Sequence, residues 1–372
     1  MTDSAPVDLV LTGREPTAML RNIFVESVGQ TSNYYVRCIG GIMRARASGY
    51  PRALLAVLLA LAVIAAACAE EEASDELTVG MALPGPKNDK GFSQAHYDGL
   101  LLVESELGAV ISVRENVLDP QARVEALRDL AQDNNLVIGV GAEYAEPGVT
   151  VAPQFPDTTF MVINGQTSDA ENLFVYGVRE GVPAYIAGVV AAHLTTANKA
   201  GFVGGEEIPP LYMADDGFSA GLKSVNPDID IASTIVGSFI DPQGAFAAAS
   251  AQLAGGADVI YSYVDSGIAG VIEAIGDAGG TALTFGIIFP RCADFPEIVG
   301  TSILNAAGLV MTMTSDYVND TVPDQPQFFG VENPDVQRFE LCPGHATDEL
   351  QQVVDDTTAG INDGSIQLPA GV

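Results

Sequence analysis

The chain has 372 residues and 48% of them are hydrophobic, which suffices for about two domains with large buried cores. Its 48 acidic residues outnumber its 16 Lys and Arg residues, and the formal net charge is −32 at pH 7. Because nucleic acids and anionic lipid headgroups attract cationic surfaces, this charge argues against a nucleic-acid partner. Such acidity is typical of a solvated surface in a salty or extracellular setting.

An export signal is predicted where an apolar stretch follows basic residues. Residues 53–69 read ALLAVLLALAVIAAACA, and Arg44, Arg46 and Arg52 precede them, as in a secretion signal. The stretch is shorter than the roughly 20 apolar residues that a membrane span needs. The pattern therefore predicts that the body of the protein lies outside the cell.

The end of this stretch predicts a lipid anchor. Small residues precede Cys68, and acidic residues follow it at once. The arrangement resembles a bacterial lipobox, in which a lipid on Cys68 would hold the protein to the bilayer at the outer face of the cell membrane. Ala65 stands where such boxes usually have Leu. An ordinary cleaved signal and a single membrane anchor are the alternatives, and all three place the body outside the cell.

Three segments are predicted before the body of the protein. Residues 1–42 form a leader that fits no targeting pattern, residues 43–68 a lipoprotein signal peptide and residues 69–76 a tether. A chain that began at Met43 would have a signal peptide of ordinary proportions. Met43 is therefore the predicted start.

Two cysteines remain for the exported body, because Cys38 lies in the leader and Cys68 is assigned to the lipid. In an oxidising compartment Cys292 and Cys342 could pair, and an unstrained bond closing a loop of that length would stabilise the fold by about 3 to 4.5 kcal/mol. No CxxC motif or cluster of His accompanies them. A metal site is therefore disfavoured, and no metal is predicted.

The body alternates short β-rich apolar runs with helical patterns, which predicts an α/β fold of parallel sheets covered on both faces. The predicted strands are 77–83, 110–113, 136–141, 201–205, 229–237 and 258–264, and the predicted helices are 92–107, 121–133, 214–224 and 243–253.

An internal repeat relates the two halves of the body at an offset of 122 residues. This offset pairs Asp119-Pro120-Gln121 with Asp241-Pro242-Gln243, Gly99-Leu100 with Gly221-Leu222, and Val137-Ile138 with Val259-Ile260. Asp as a cap and Pro in the first turn are typical of a helix start. The repeat predicts two similar doubly wound lobes with a cleft between them. Lobe one covers residues 77–195, lobe two residues 196–306, and residues 307–372 cross between the lobes.

Two acidic residues are predicted to face this cleft. In open parallel sheets, ligands bind outside the carboxyl ends of the strands. Glu143, with Tyr144 after it, follows the third strand of lobe one, and Asp265 occupies the matching position in lobe two. The alternative is that each acid is a polar turn residue without a ligand.

The loop after the first strand carries further candidate ligand contacts: Asn88, Asp89, Phe92 and Gln94. An aromatic ring beside amide and carboxylate groups suits a flat heterocycle, because stacking on a base contributes about 1 to 3 kcal/mol. The polar groups could hold sugar hydroxyls or the edge of the base. Alternatively, Phe92 packs under its own helix.

Several motifs in a fixed order resemble the basic-membrane-protein family of ABC-transporter solute-binding lipoproteins, which includes purine-nucleoside receptors. They are NDKGFSQAHYDGL, VAPQFPDTTF, REGVPAYIAGVVAAHLT, GFVGG, GFSAGLKSVNP, GSFIDP and GGADVIYSYVDS. The resemblance runs from about Leu77 to the C-terminus. It implies a type I periplasmic-binding fold with two lobes joined by three hinge strands, no catalysis, and a ligand enclosed as the lobes close.

The resemblance also implies roles for residues that match the family. Polar ligand contacts fall on Asn88 and Asp89, the stacking aromatic on Phe92, the lining of the second lobe on Phe239 with Asp241, and a further contact by position on Asp265.

Three positions depart from the nucleoside receptors. Ala214 replaces an aromatic residue, whose place Tyr212 or Met213 could take. Residues 287–290 read IIFP where a sugar-binding carboxylate is expected, and Asn305 replaces a Lys. The predicted ligand is therefore described only as nucleoside-like or purine-like.

The sequence thus predicts an extracytoplasmic solute-binding lipoprotein that delivers a small molecule to an ABC permease, without a cofactor. A lipoprotein that senses the ligand and signals to a membrane partner is an alternative. An extracellular hydrolase using Glu143 and Asp265 is disfavoured, because the sequence has no GxSxG, HExxH or GxxxxGK[ST] motif.

Overall fold

The structure is a computed structural model that describes residues 76–166 and 168–372, together with the backbone of three strands nearer the N-terminus. The chain forms two compact units, Met1–Ser74 and Asp75–Val372. The predicted apolar signal core, the lipobox with Cys68 and the tether as far as residue 75 lie outside the described residues.

The first unit contains a three-stranded antiparallel sheet. Its strands are β1 (Val25–Ser27), β2 (Asn33–Cys38) and β3 (Gly41–Arg46), in the order β1-β2-β3. Met43, the predicted start of the signal peptide, lies within β3.

The second unit contains two six-stranded sheets, one in each lobe. The first has the order β5-β4-β6-β7-β8-β14, all parallel, with β4 (Thr78–Ala82), β5 (Val110–Arg114), β6 (Leu136–Val140), β7 (Thr159–Ile163), β8 (Leu173–Val178) and β14 (Gln327–Phe329). The helices that follow its first three strands are α1 (Phe92–Leu107), α2 (Pro120–Ala131) and α3 (Ala145–Val151).

The second sheet repeats this order as β10-β9-β11-β12-β13-β15, with only β15 antiparallel. Its strands are β9 (Lys199–Gly204), β10 (Asp230–Ile235), β11 (Val259–Tyr263), β12 (Leu283–Ile288), β13 (Ile298–Leu304) and β15 (Gln337–Leu341). The corresponding helices are α5 (Pro209–Val225), α6 (Pro242–Ala254) and α7 (Ile268–Asp277). The shared strand order confirms the predicted pair of doubly wound lobes.

Local chemistry fixes the repeated helix starts as the sequence predicts. The Asp119 carboxylate accepts the N–H of Ala122 at 2.8 Å, and the Asp241 carboxylate accepts the N–H of Gln243 at 3.0 Å. Each Asp therefore caps a helix whose first residue is Pro, where a backbone N–H is not needed. The central strands β6 and β11 are buried along their whole length, as expected for parallel strands covered on both faces.

The chain crosses between the lobes three times, at residues 179–180, at Asn305 and at residues 330–336. After the first crossing, α4 (Gly181–Leu194) packs on α5, β13 and β15 of the second lobe. After the second, α8 (Ala306–Val318) packs on α1 of the first lobe. The third joins β14 to β15, after which α9 (Asp348–Asn362) packs on α4. The predicted lobe boundary at residue 195 therefore falls just past a helix that packs on the second lobe.

Among the described residues, no helix is both long and apolar enough to cross a membrane.

Candidate ligand-binding cleft

The carboxyl ends of the strands in the two lobes face each other, and they touch at Gly91 and Asp265. Gly91 precedes α1 in lobe one, and Asp265 follows β11 in lobe two. A Cβ atom placed on Gly91 would lie 2.2 Å from Cγ of Asp265. The backbone of one lobe therefore rests directly on a side chain of the other, and only glycine leaves room for this contact.

Both lobes supply acceptors for the N-terminus of α1. The first-turn N–H groups of a helix have no partner within the helix, and the helix dipole favours negative charge there. Asp89 accepts the N–H groups of Gly91, Gln94 and Ser93 at 2.8, 3.0 and 3.0 Å. Asp265 accepts the N–H of Phe92 from across the cleft. The carboxylate of Asp89 is thus engaged by its own helix.

The electrostatics of this contact disfavour the ionised form of Asp265. Burial raises the pKa of its carboxyl group to about 7, and the nearby charge of Asp89 acts in the same direction. The N–H of Phe92 and the positive charge of Arg291 lower the pKa and offset part of this rise. Arg291 also reaches across the cleft, where its guanidinium donates to the carbonyl oxygen of Lys90.

Phe92 is held against a buried histidine. Its ring is half-buried, and its centroid lies 4.4 Å from that of His96. Nδ1 of His96 lies 2.7 Å from the carbonyl oxygen of Phe92, so it carries the proton and donates. Burial lowers the pKa of His96 to about 4, which keeps the ring neutral. Nε2 has no hydrogen-bond partner among the described residues.

The second lobe contributes Phe239, whose backbone and ring are each held by neighbouring residues. Its carbonyl oxygen accepts the N–H groups of Asp265 and Gly267 at 2.9 and 3.1 Å. Its ring covers Gly205, where a Cβ atom would lie 2.2 Å from the ring. The ring also meets Tyr263 edge-on at a centroid distance of 6.3 Å. Phe239 is half-buried and belongs to the same loop network as Asp265.

Two further carboxyl groups lie near the crossing and the cleft, and the sequence did not identify them. Glu180, at the first crossing, hydrogen-bonds to Tyr263, and burial raises its pKa to about 7. Glu206 follows β9 in lobe two and is exposed. Burial raises the pKa of Glu143 in lobe one, and the charge of Glu206 adds to that rise. The charge of Glu206 therefore acts on Glu143 from the opposite lobe.

The other predicted ligand contacts do not lie together in the cleft. Tyr144 is fully buried in a lobe-one core cluster, and its ring lies 5.9 Å from the guanidinium carbon of Arg123. Asn88 is exposed, and the side-chain oxygen of Gln94 accepts the N–H of Lys90 at 3.2 Å. The structure thus brings Asp89, Phe92, Phe239 and Asp265 together, while Asp241 is engaged as the cap of α6.

The positions that depart from the nucleoside receptors have structural roles. Ala214 is fully buried in the core. Asn305 accepts the N–H of Gly308 at 3.0 Å and donates to the carbonyl oxygen of Asp335 at 2.8 Å, so both ends of its amide are used. Ile288 ends β12 with a positive φ of 67°, a strained conformation for a β-branched residue.

A disulfide joins Cys292 to Cys342, with a Cα–Cα distance of 5.3 Å. It fastens the irregular connection between β12 and β13 to the residue that follows β15. This connection carries Arg291, so the bond restrains the segment that reaches the first lobe. Among the described residues, no group of three or more His, Cys, Asp or Glu side chains could hold a metal ion.

The chain matches the family model described as Bmp, ABC transporter substrate-binding protein PnrA-like, over residues 76–338. It is 27% identical to the purine-binding protein of Brucella abortus over 298 residues, which cover 79% of this chain and 83% of that protein. It is 24% identical to basic membrane protein A of Borreliella burgdorferi over 325 residues, covering 85% of this chain and 95% of that protein.

The fold is also similar to that of solved solute-binding proteins. An ABC transporter solute-binding protein from Aeropyrum pernix aligns with a TM-score of 0.70 at 20% identity, covering 79% of this chain and 94% of that chain. This similarity confirms the type I periplasmic-binding fold. Family and fold are those of solute-binding proteins and not of enzymes.

We expect Gly91→Ala to hold the lobes apart, because the added methyl group would overlap the carboxyl group of Asp265. Small-angle X-ray scattering of the body should show a larger radius of gyration than the wild type. Gly286→Ala is the matched control, since a Cβ atom there would meet its nearest neighbour at an ordinary 3.5 Å. Identical scattering from Gly91→Ala and the wild type would contradict the contact.

The raised pKa values of Asp265 and Glu180 predict a pH-dependent stability. Both carboxyl groups have folded pKa values of about 7, against ordinary values of 3.8 and 4.5. The folded state therefore binds these protons more tightly than the unfolded state does. The free energy of unfolding that this proton binding contributes is lost as pH rises from about 4 through 7. The free energy of unfolding should fall by about 3 kcal/mol for each of these groups over this range.

Urea unfolding at pH 5, 6, 7 and 8 measures this dependence. The double variant Asp265→Asn and Glu180→Gln, which mimics the protonated groups, should lose that part of the slope. Parallel pH profiles for the wild type and the double variant would show that these two groups do not titrate as described.

Proposed function

The chain belongs to the PnrA-like Bmp family of ABC-transporter substrate-binding proteins, and from this premise we propose that its cleft captures a purine or purine nucleoside for an ABC importer. The observation that carries the proposal is the pairing of aromatic rings and carboxyl groups where the lobes meet. Phe92 from lobe one and Phe239 from lobe two are both half-buried beside Asp265. The purine-binding relative from Brucella abortus supports the same ligand class.

Aromatic rings and carboxyl groups suit the two kinds of surface that a purine offers. A ring stacked on the base face contributes about 1 to 3 kcal/mol per base. A purine edge alternates N–H donors with ring-nitrogen acceptors. A carboxyl group with a pKa of about 7, such as that of Asp265, can accept from the former when ionised and donate to the latter when protonated. Asp265 can therefore pair with either kind of group on the purine edge, depending on whether its own carboxyl group is ionised or protonated.

Delivery to an importer follows from the two-lobed architecture. Family membership implies an extracytoplasmic location, a small ligand and a permease partner. Enclosure of the ligand by hinge motion at the three crossings would give the permease a closed form to recognise. The lobes are in contact at Gly91, which is the geometry expected of a closed receptor.

We propose further that a lipid on Cys68 keeps the body beside its permease in the membrane. The small residues before Cys68 and the acidic residues after it support this assignment. Mass spectrometry of the protein extracted from membranes should find an N-terminal peptide that begins at a diacylated Cys68, and Cys68→Ser should release the body into the soluble fraction. A mature N-terminus without lipid would contradict the anchor.

Isothermal titration with adenine, guanine, hypoxanthine and their nucleosides tests the ligand class. We expect at least one of them to bind the purified body, and Phe92→Ala to weaken its affinity about 10-fold to 100-fold through lost stacking. Phe155→Ala is the control, because Phe155 is a half-buried aromatic that packs on a separate core cluster of lobe one. If none of the six compounds binds, the proposed ligand class is wrong.

A further inference from the structure

Arg291 brings N–H donors to the lobe contact, and most of them have no partner among the described residues. A guanidinium group carries five N–H donors. That of Arg291 donates to the carbonyl oxygen of Lys90 and takes part in no ion pair between described residues. The side chain is half-buried, and its positive charge acts on Asp265. Donors therefore remain at this point of the cleft for a ligand to use.

The backbone that carries Arg291 is held in place. Its carbonyl oxygen accepts the N–H groups of Asp294 and Phe295 at 3.0 and 3.2 Å. The next residue, Cys292, is bonded to Cys342. The guanidinium therefore extends from a fixed turn, which lowers the conformational entropy that a ligand contact would cost.

Arg291 and Asp265 lie side by side without forming an ion pair. Lys90, whose carbonyl oxygen accepts from Arg291, directly precedes Gly91, against which Asp265 packs. The Cα atoms of consecutive residues are about 3.8 Å apart, so the two side chains reach neighbouring points of one loop. Together they present N–H donors next to a carboxyl group.

The aromatic residues of the cleft adjoin this pair. The N–H of Phe92 donates to the carboxyl group of Asp265, and the carbonyl oxygen of Phe239 accepts the backbone N–H of Asp265. Asp265 is thus connected to both residues that could stack on a base. A base stacked on Phe92 can then turn one edge toward Asp265 and Arg291.

We propose that Asp265 and Arg291 together bind the lactam edge of a 6-oxopurine. Such a base, as in hypoxanthine, guanine and their nucleosides, carries an N–H donor at N1 beside a carbonyl oxygen at C6. The ionised carboxylate of Asp265 accepts the N–H, and Arg291 donates to the oxygen, a pairing that Arg also makes with guanine in nucleic acids. The proposal rests on the proposed function, because it names which purines the same cleft takes.

Adenine presents the opposite order of donor and acceptor at this edge. Its N1 accepts a hydrogen bond and its C6 amino group donates, so the amino group would face Arg291, which has no acceptor. The adenine N1 would face the carboxylate of Asp265, which has no proton to give when ionised. Buried polar groups that meet without a hydrogen bond weaken binding. The pair therefore discriminates against 6-aminopurines.

The charges around Arg291 favour a neutral carbonyl oxygen over an anionic group. Asp89 and Asp265 belong to the same contact, and the charge of Asp89 already disfavours the ionised form of Asp265. A phosphate or carboxylate on the ligand would add a further negative charge to a chain whose formal net charge is −32. A carbonyl oxygen accepts from Arg291 without adding charge, so bases and nucleosides fit better than nucleotides.

Isothermal titration of the purified full chain with hypoxanthine and adenine, and with inosine and adenosine, tests the preference. The two members of each pair differ at the edge that Asp265 and Arg291 would bind. We expect the oxo compound of a pair to bind at least about tenfold more tightly than the amino compound.

Substitution of Arg291 identifies the source of the preference. Arg291→Met removes the donors and keeps a long unbranched side chain, so it should weaken hypoxanthine about 10-fold to 100-fold and adenine less than about threefold. Arg291→Lys should keep part of the preference, because an ammonium group still donates. Arg128→Met is the matched control and should change neither affinity. Arg128 is half-buried in the last turn of α2, at the end of lobe one away from the cleft.

The ratio of the two affinities separates recognition of the base from closure of the lobes. If Arg291 only held the lobes together through Lys90, Arg291→Met would weaken all four compounds equally, and the proposal would be wrong. Equal affinities of the wild type for oxo and amino compounds, or a preference for the amino compounds, would also overturn it while the purine assignment stood. If none of the four compounds binds, and neither guanine nor guanosine does, the proposed function itself fails.

Discussion

The contact of Asp265 with the backbone at Gly91 is the interaction on which the closed arrangement of the lobes depends. One helix N-terminus is shared between them, with Asp89 accepting three N–H groups and Asp265 the fourth. The close fit of Gly91 against Asp265, together with the Phe92 N–H that Asp265 accepts, sets how closely the two lobes approach at this point. Apolar packing alone would leave the register of the two lobes less defined.

Much of the second lobe serves to position Asp265. The carbonyl oxygen of Phe239 receives the N–H of Asp265, and the Phe239 ring is seated on Gly205. Arg291 approaches from the connection between β12 and β13, which contains no helix. The Cys292–Cys342 bond restrains this connection. The aromatic wall of the cleft and the interlobe contact are thus parts of one network. A displacement of the loop that carries Phe239 would also move Asp265.

The fold was largely predictable from the sequence, because local signals agree with the tertiary arrangement. The helix predicted at 92–107 is observed as α1 with the same bounds, and the Asp-Pro starts place α2 and α6 within one residue of their predicted starts. The prediction was late for α5, which begins at Pro209 and not near Ala214. Pro209 and Pro210 lie in the first turn of this helix, which tolerates them because its N–H groups need no partner within the helix.

The candidate site was predictable only in part, because its contacts join residues distant in the chain. Phe92 and Asp265 could be placed at the carboxyl ends of strands from the pattern alone. The hydrogen bonds from Asp89 to its own helix could have been predicted locally, because Asp89 precedes Ser93, whose N–H it accepts, by only four residues. Nothing local indicates that Glu180 meets Tyr263 or that Glu206 acts on Glu143, since these pairs form only through the crossing and the duplicated lobes.

The electrostatics of the contact oppose the hydrogen bond that joins the two lobes. In the closed form Asp265 is buried beside Asp89, so its ionisation is disfavoured, and the Phe92 N–H offsets only part of that cost. A receptor that closed firmly without a ligand would gain little from binding one, because a ligand shifts an equilibrium only by its differential affinity for the two states. The contact therefore orients the lobes, while the nearby charge of Asp89 and the burial of Asp265 oppose the ionised form of the Asp265 carboxyl group. Under the proposed function, a bound ligand would supply the remaining free energy of closure.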